Sequence, residues 1–187
     1  LKGLPIKFVF GQHRKEDFSQ ADMVIKNPGA PSNSKSLQIA RENKVPIETD
    51  IGIFFELCPT SIIAVTGTKG KSTTAVLIFN ILKSFKKDAI LAGNIGVSVL
   101  GELSKIKRQS IIVLELSSWQ LEGLEKHQKS PHIAVFTNIM RDHMNRYKTE
   151  TDYIEAKKNI FKWQKNNDYL VLNYDDEIVK EFSKESR

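Results

Sequence analysis

Ser61-Ile62-Ile63-Ala64-Val65-Thr66 runs without a charged residue into Gly67-Thr68-Lys69-Gly70-Lys71-Ser72-Thr73. A continuous apolar run rich in β-branched residues is what a strand buried on both sheet faces requires. Residues 72–85 that follow carry a helical period. At a strand-to-helix turn the glycines let backbone amides approach an anion, and the helix N-terminus adds its dipole. Lys71 can then reach terminal phosphates and the Ser72 hydroxyl can face Mg²⁺. We therefore expect Gly67, Thr68, Lys69, Gly70, Lys71, Ser72 and Thr73 to cradle a nucleotide. The strict phosphate-loop pattern has glycine where this chain has Val65, so the context carries the reading.

Working outward, short strand-like runs at 6–10, 21–25, 89–91, 110–116, 132–137 and 169–173 alternate with helical patterns at 34–43, 97–107, 151–164 and 175–184. That alternation predicts an α/β fold, a mostly parallel sheet flanked by helices. Cys58-Pro59-Thr60 ends the apolar segment 51–57, because proline disfavours helix at the residue before it. We expect domains at 1–59 and 60–187.

Composition narrows the function classes. Hydrophobic residues make up 40% and charged residues 27% of the 187, with no apolar run near the ~20 residues of a membrane span, which excludes an integral helical membrane protein. The net charge of +6 would suit nucleic acid or an anionic metabolite. Lysines interleave with acids, as in Glu155-Ala156-Lys157-Lys158, and no aromatic-interleaved basic stripe occurs, so a solvated surface is the better reading and no nucleic-acid partner is expected. Cys58 is the only cysteine, so no internal disulfide can form. The chain opens on Leu1 without a secretory pattern, giving the expectation of a fragment of a cytoplasmic, monomeric protein.

Three further places bear chemistry. The run 110–115 ends in Glu115, a carboxylate at a strand's carboxyl end, where ligands of open parallel sheets gather and where it could hold Mg²⁺. The strand 133–137 leads into Asn138-Ile139-Met140-Arg141-Asp142-His143, which makes His143 a candidate ligand to a metal or a substrate oxygen. Lys157 sits on an amphipathic helix, where periodicity does not distinguish it from Lys158. Asn94 in Gly93-Asn94-Ile95-Gly96 is equally readable as a turn residue.

Taken together, Gly67 to Thr73, Gly93-Asn94-Ile95-Gly96, Leu114-Glu115-Leu116-Ser117-Ser118-Trp119-Gln120-Leu121-Glu122, Thr137-Asn138-Ile139 with Asp142-His143, and Ala156-Lys157 resemble the Mur ligase family in order and approximate spacing. The Glu115 to Leu121 block looks most like its D-glutamate-adding branch. Upstream, Gly11-Gln12-His13-Arg14 through Asn27-Pro28-Gly29-Ala30-Pro31 looks like the later part of that branch's UDP-binding, Rossmann-like N-terminal domain.

The resemblance implies ATP and two Mg²⁺ ions, with UDP-N-acetylmuramoyl-L-alanine and D-glutamate joined through an acyl phosphate. It implies Lys71 and Ser72 at the phosphates, with Ser72, Glu115, His143 and a carbamylated Lys157 at Mg²⁺. Asn94, Ser117, Gln120 and Asn138 fall at substrate-binding positions, and Lys71, Glu115, His143 and Lys157 at catalytic ones. It also implies a C-terminal domain absent from this chain. The family has Asn at Lys69 and Asp at Asn145, so this chain departs in the charge of the loop and in the polar network near His143. An unrelated phosphoryl-transfer enzyme, or a non-catalytic nucleotide- or nucleic-acid-binding module, would share part of this pattern.

Overall fold

The computed structural model describes residues 3–142 and 145–186, which divide into two compact units, Leu1–Thr49 and Asp50–Arg187.

The first unit holds helix α1 (Glu16–Ser19), strand β1 (Val24–Ile25), helix α2 (Lys35–Glu42) and strand β2 (Ile47–Glu48). β1 and β2 pair in parallel, with Val24 opposite Ile47, around the crossover helix α2. The Ser34 side chain caps α2 by accepting from the Leu37 amide, and Leu37 and Ala40 are its buried face. Residues 6–10, expected as a strand, form none. Phe8 is 57% and Phe10 85% exposed, and among the described residues no neighbouring strand satisfies their amides.

The second unit opens with a helix the sequence reading did not anticipate, α3 (Asp50–Leu57). The division at Thr49 therefore precedes the expected boundary at Cys58-Pro59-Thr60, for a physical reason: Ile51, Phe54 and Phe55 of α3 are buried in the core beneath the large sheet. Then come β3 (Ile62–Thr66), α4 (Lys71–Ser84), β4 (Ala89–Gly93), α5 (Val99–Glu102), β5 (Ile111–Glu115), α6 (Ser118–Leu121), β6 (Ile133–Phe136), α7 (Glu150–Lys158), β7 (Tyr169–Leu172) and α8 (Glu177–Glu181).

The five strands form one parallel sheet in the order β4-β5-β3-β6-β7. Apolar side chains leave both faces, which is why the central strands read as unbroken hydrophobic runs. Ile62, Ala64, Ile112 and Leu114 pack into the larger core, while Val65 and Val113 pack with Ala75 of α4 on the other face. The helices expected at 97–107, 151–164 and 175–184 are shorter than predicted. The first and last pass into 3-10 turns at Leu103–Lys105 and Phe182–Lys184. α7 ends at Lys158, beyond which the Asn159 side chain donates to the Leu121 carbonyl at 3.2 Å.

Topology positions the site. The chain leaves β3 toward β4 on one side of the sheet and leaves β6 toward β7 on the other, so the connections from these two adjacent strands diverge at their carboxyl ends. A crevice forms at such a switch point, and both the 67–70 turn and the 137–142 segment lie there. Among the described residues no helix is long and apolar enough to cross a membrane.

Candidate active site at the carboxyl edge of the sheet

The 67–70 turn is held from both sides. Gly67 has φ +143°, and a Cβ there would lie 2.0 Å from Thr137 Oγ1, so only glycine lets β6 approach this closely. Asn138 clamps Lys69: its Oδ1 accepts from the Lys69 amide at 2.8 Å and its Nδ2 donates to the Lys69 carbonyl at 3.1 Å. Thr137 Oγ1 donates to the same carbonyl at 2.7 Å. Thr68 is buried, its hydroxyl 3.1 Å from Tyr153 Oη and accepting from the Met140 amide at 2.9 Å. Lys71 opens α4 and its Nζ donates to the Thr68 carbonyl at 3.0 Å, folding the side chain back over the turn. Gly70, at φ +78°, is the N-cap of α4.

Lys157 enters from α7. It is 2% exposed, and its Nζ donates to the Gly67 carbonyl at 2.7 Å and lies 4.8 Å from the Tyr153 ring centroid. Burial, with the Lys71 charge adding to it and Asp142 opposing it, pushes its pKa down to about 7. Near pH 7 its neutral and charged forms are therefore about equally populated, where an ordinary lysine carries a full charge.

Glu115 ends β5 between β3 and β4, opposite Val65 and Gly93. Gly93, at φ +100°, brings its Cα so close that a Cβ would fall 2.2 Å from the Glu115 carbonyl oxygen. The next residue, Asn94, donates through Nδ2 to Glu115 Oε1 at 3.0 Å and through its amide to the Glu115 carbonyl at 2.9 Å. Glu115 is 2% exposed, and among the described residues its Oε2 has no hydrogen-bond partner. A buried carboxylate oxygen left unsatisfied is costly, and a cation is the partner that fits its chemistry. Among the described residues no three His, Cys, Asp or Glu side chains gather as a ready-made metal cage, and His143 lies outside the described residues.

Lys71, Asn94, Ser117 and Lys157 line a single cavity of about 140 Å³, together with Ser118, Trp119 and Tyr153. The fold thus converges four of the expected residues from four segments. Two others are engaged elsewhere. Gln120 is buried in the capping box of α6, its Oε1 accepting from the Ser117 amide at 3.1 Å and from the Ser117 hydroxyl at 3.2 Å. The Asn138 side chain serves the Lys69 main chain instead of lining the cavity. Ser72 and Thr73 lie in the first turn of α4.

Tyr153 is not singled out by the sequence reading, and Trp119 enters it only as the aromatic of the Glu115 to Leu121 block. Tyr153 sits one helical turn before Lys157 on the same face, a spacing that marks it as a neighbour of that lysine. The Trp119 ring is stacked by the Arg146 guanidinium at 4.7 Å, and Arg146 pairs with Glu122 at 2.9 Å.

The sequence profile of the Mur ligase middle domain matches residues 65–187. The chain belongs to the Mur ligase family. Within it, the chain is 46% identical over 180 residues to the UDP-N-acetylmuramoylalanine--D-glutamate ligase of Roseiflexus sp. (strain RS-1), covering 96% of this chain and 39% of the relative. It is 43% identical over 179 residues to the enzyme of that name from Borreliella burgdorferi (strain ZS7), covering 96% of this chain and 38% of the relative. This Mur ligase chain therefore spans about two fifths of the length of the curated relatives it matches.

Solved Mur ligases share the fold. The UDP-N-acetylmuramate:L-alanyl-gamma-D-glutamyl-meso-diaminopimelate ligase from Neisseria meningitides superposes with a TM-score of 0.63 at 15% identity, covering 91% of this chain and 57% of that one. The MurF ligase from Thermotoga maritima in complex with ADP gives 0.56 at 21% identity, covering 87% and 44%.

Proposed function

We propose that this chain is the nucleotide- and acyl-substrate-binding part of an ATP-dependent ligase that adds D-glutamate to UDP-N-acetylmuramoyl-L-alanine through an acyl phosphate, a cytoplasmic step of peptidoglycan precursor synthesis. The observation that carries it is the shared cavity of Lys71, Asn94, Ser117 and Lys157 beside the glycine turn and Glu115. The relatives at 46% and 43% identity support the D-glutamate acceptor.

In this reading residues 67–73 form the phosphate loop. Its geometry is set before any ligand arrives, since Asn138 and Thr137 hold the Lys69 main chain, and preorganised donors are what phosphoryl transfer draws on. Lys71 exchanges its Thr68 carbonyl partner for a phosphate oxygen. Ser72, Glu115 and His143 are the residues that would hold Mg²⁺, and Mg²⁺ would supply neutralisation of charge on the transferring phosphoryl group. Asn94, fixed by Glu115, and Ser117 orient the acyl substrate. The upstream unit Leu1–Thr49 contributes to the UDP-binding domain.

Lys157 is assigned as a carbamate. Its neutral amine attacks the carbon of CO₂, an N–C bond forms and a proton leaves, converting a buried cation into an anion able to hold a second Mg²⁺. A lysine pushed to about 7 keeps the free amine this step needs at neutral pH. The ¹³C spectrum of protein equilibrated with ¹³C-bicarbonate should contain a carbamate resonance lost in Lys157→Met; its absence from the wild-type spectrum counts against the assignment.

Calorimetric titration of a non-hydrolysable ATP analogue with Mg²⁺ tests the nucleotide site in this chain. Binding that disappears in Lys71→Ala is the expected result. In the full-length enzyme, phosphate release that depends on both UDP-N-acetylmuramoyl-L-alanine and D-glutamate tests the ligase reading. Phosphate released without amide formation would instead identify an unrelated ATPase.

A further inference from the structure

A second and larger cavity, of about 560 Å³, opens at the amino ends of β3, β6 and β7. It lies at the far edge of the sheet from the glycine turn, separated from it by the length of β3, roughly 15 Å at ~3.3 Å per residue. Nothing in the ligase reading uses it. Its volume falls within the range of about 300–1,000 Å³ common to small-molecule sites.

The wall has a definite chemistry. Phe55 and Trp163 contribute aromatic surface, and Lys165, His132, Lys129 and His127 bring cationic or cationisable groups; Lys129 and His127 are already paired with Glu56, at 2.8 and 3.0 Å, and the one carboxylate among the lining residues is Asp168. That carboxylate is already committed: Oδ1 pairs with His132 Nδ1 at 2.9 Å and Oδ2 accepts from the Lys165 amide at 2.7 Å. The Asp168 contact orients the His132 ring and leaves its Nε2 edge for another partner.

The wall is also rigid. Ser130 Oγ accepts from the Trp163 amide at 3.1 Å and donates to the Asn159 carbonyl at 3.2 Å. Gln164, 8% exposed, bridges the Pro131 and Tyr169 carbonyls at 3.0 and 2.9 Å. Binding here would cost little ordering of the loops.

We propose that this cavity binds a small organic anion built on a planar aromatic or heteroaromatic ring. The ring packs against Trp163 and Phe55 while the anion meets Lys165 and His132.

The test is an NMR titration of the chain with two probes, adenosine 5′-monophosphate without Mg²⁺ and 4-hydroxybenzoate. The Trp163 indole signal is assigned by comparison with Trp119→Phe. We expect at least one probe to shift the Trp163 indole and the Ser130 and Lys165 amides saturably at millimolar concentration or below. Lys165→Glu, a change at an exposed position, should weaken that probe at least tenfold. Saturation by the nucleotide alone identifies a phosphate anion, and by the benzoate alone a carboxylate. Signals around Trp163 that stay still with both probes, or an affinity unchanged in Lys165→Glu, would overturn the proposal.

Discussion

The Nζ nitrogen of Lys157 lies 2.7 Å from the carbonyl oxygen of Gly67, a buried hydrogen bond that ties α7 to the glycine turn beside the Thr68–Tyr153 contact. Whether that nitrogen is charged affects both the chemistry at the turn and the stability of the unit.

The pH dependence of stability follows from the shift. A lysine whose pKa falls from 10.5 unfolded to about 7 folded binds fewer protons in the native state throughout that interval. Stability contributed by this group therefore rises as pH climbs from about 7 to about 10.5, and the penalty is complete at and below about 7. The slope is at most about 1.4 kcal/mol per pH unit. Urea unfolding at pH 7, 8 and 9 should show Lys157→Met gaining on wild type as pH falls. Curves that stay parallel would contradict a depressed Lys157.

Two glycines should respond in opposite directions. Gly67→Ala places a methyl 2.0 Å from Thr137 Oγ1 at φ +143°, and we expect it to lose about 2–4 kcal/mol. Gly101→Ala, in α5 with nothing within 4 Å of the new Cβ, should gain about 0.5–1 kcal/mol. Thermal denaturation of both variants checks this, and a Gly67→Ala protein as stable as wild type would refute the close approach of β6.

Glu115→Gln separates stability from ligand chemistry. Removing a buried charge whose Oε2 lacks a partner among the described residues should leave the metal-free protein as stable as before or up to about 1 kcal/mol more so. The same change should weaken Mg²⁺-dependent binding of the ATP analogue at least tenfold. Calorimetry with and without Mg²⁺ decides; loss of stability with intact Mg²⁺ dependence would make Glu115 a structural residue only.

The helix that carries Lys157 begins at a reciprocal cap, with Thr149 Oγ1 accepting from the Asp152 amide at 3.1 Å and Asp152 Oδ2 from the Thr149 amide at 3.0 Å. Thr149→Ala should cost about 1 kcal/mol, and Thr149→Ser should restore most of it. Chemical denaturation of the three proteins reads the difference. Equal midpoints for Ala and Ser would show that the cap contributes nothing.

Much of this architecture is local and so was legible in the residues. β3 and β5 are apolar runs because both sheet faces are covered, and the glycine turn announces itself between a buried strand and a helix. α3 escaped for the same reason that β3 did not: Ile51, Phe54 and Phe55 are buried, the helix shows almost no polar face, and periodicity cannot distinguish a short buried helix from a strand. Residues 6–10 failed the other way, since strand propensity forms nothing without a partner strand. Ser117-Ser118-Trp119-Gln120 carries a capping-box pattern legible in the sequence beside the substrate contacts that the resemblance implies.

Lys157 and Lys158 mark where local information ends. Both follow Ala156 on one helix, and nothing in spacing or composition separates them. A rotation of about 100° per residue turns them to different surroundings. Lys158 reaches Glu155 and Glu185 at 2.9 and 2.8 Å. Lys157 is driven under the glycine turn, against Gly67 and Tyr153, and loses its water. The sequence by itself determined the central strands β3 and β5 and the glycine turn that follows β3, because strand burial and glycine freedom are properties of a few adjacent residues. Only tertiary structure decided which lysine has its pKa lowered, because desolvation depends on what the rest of the chain stacks over it.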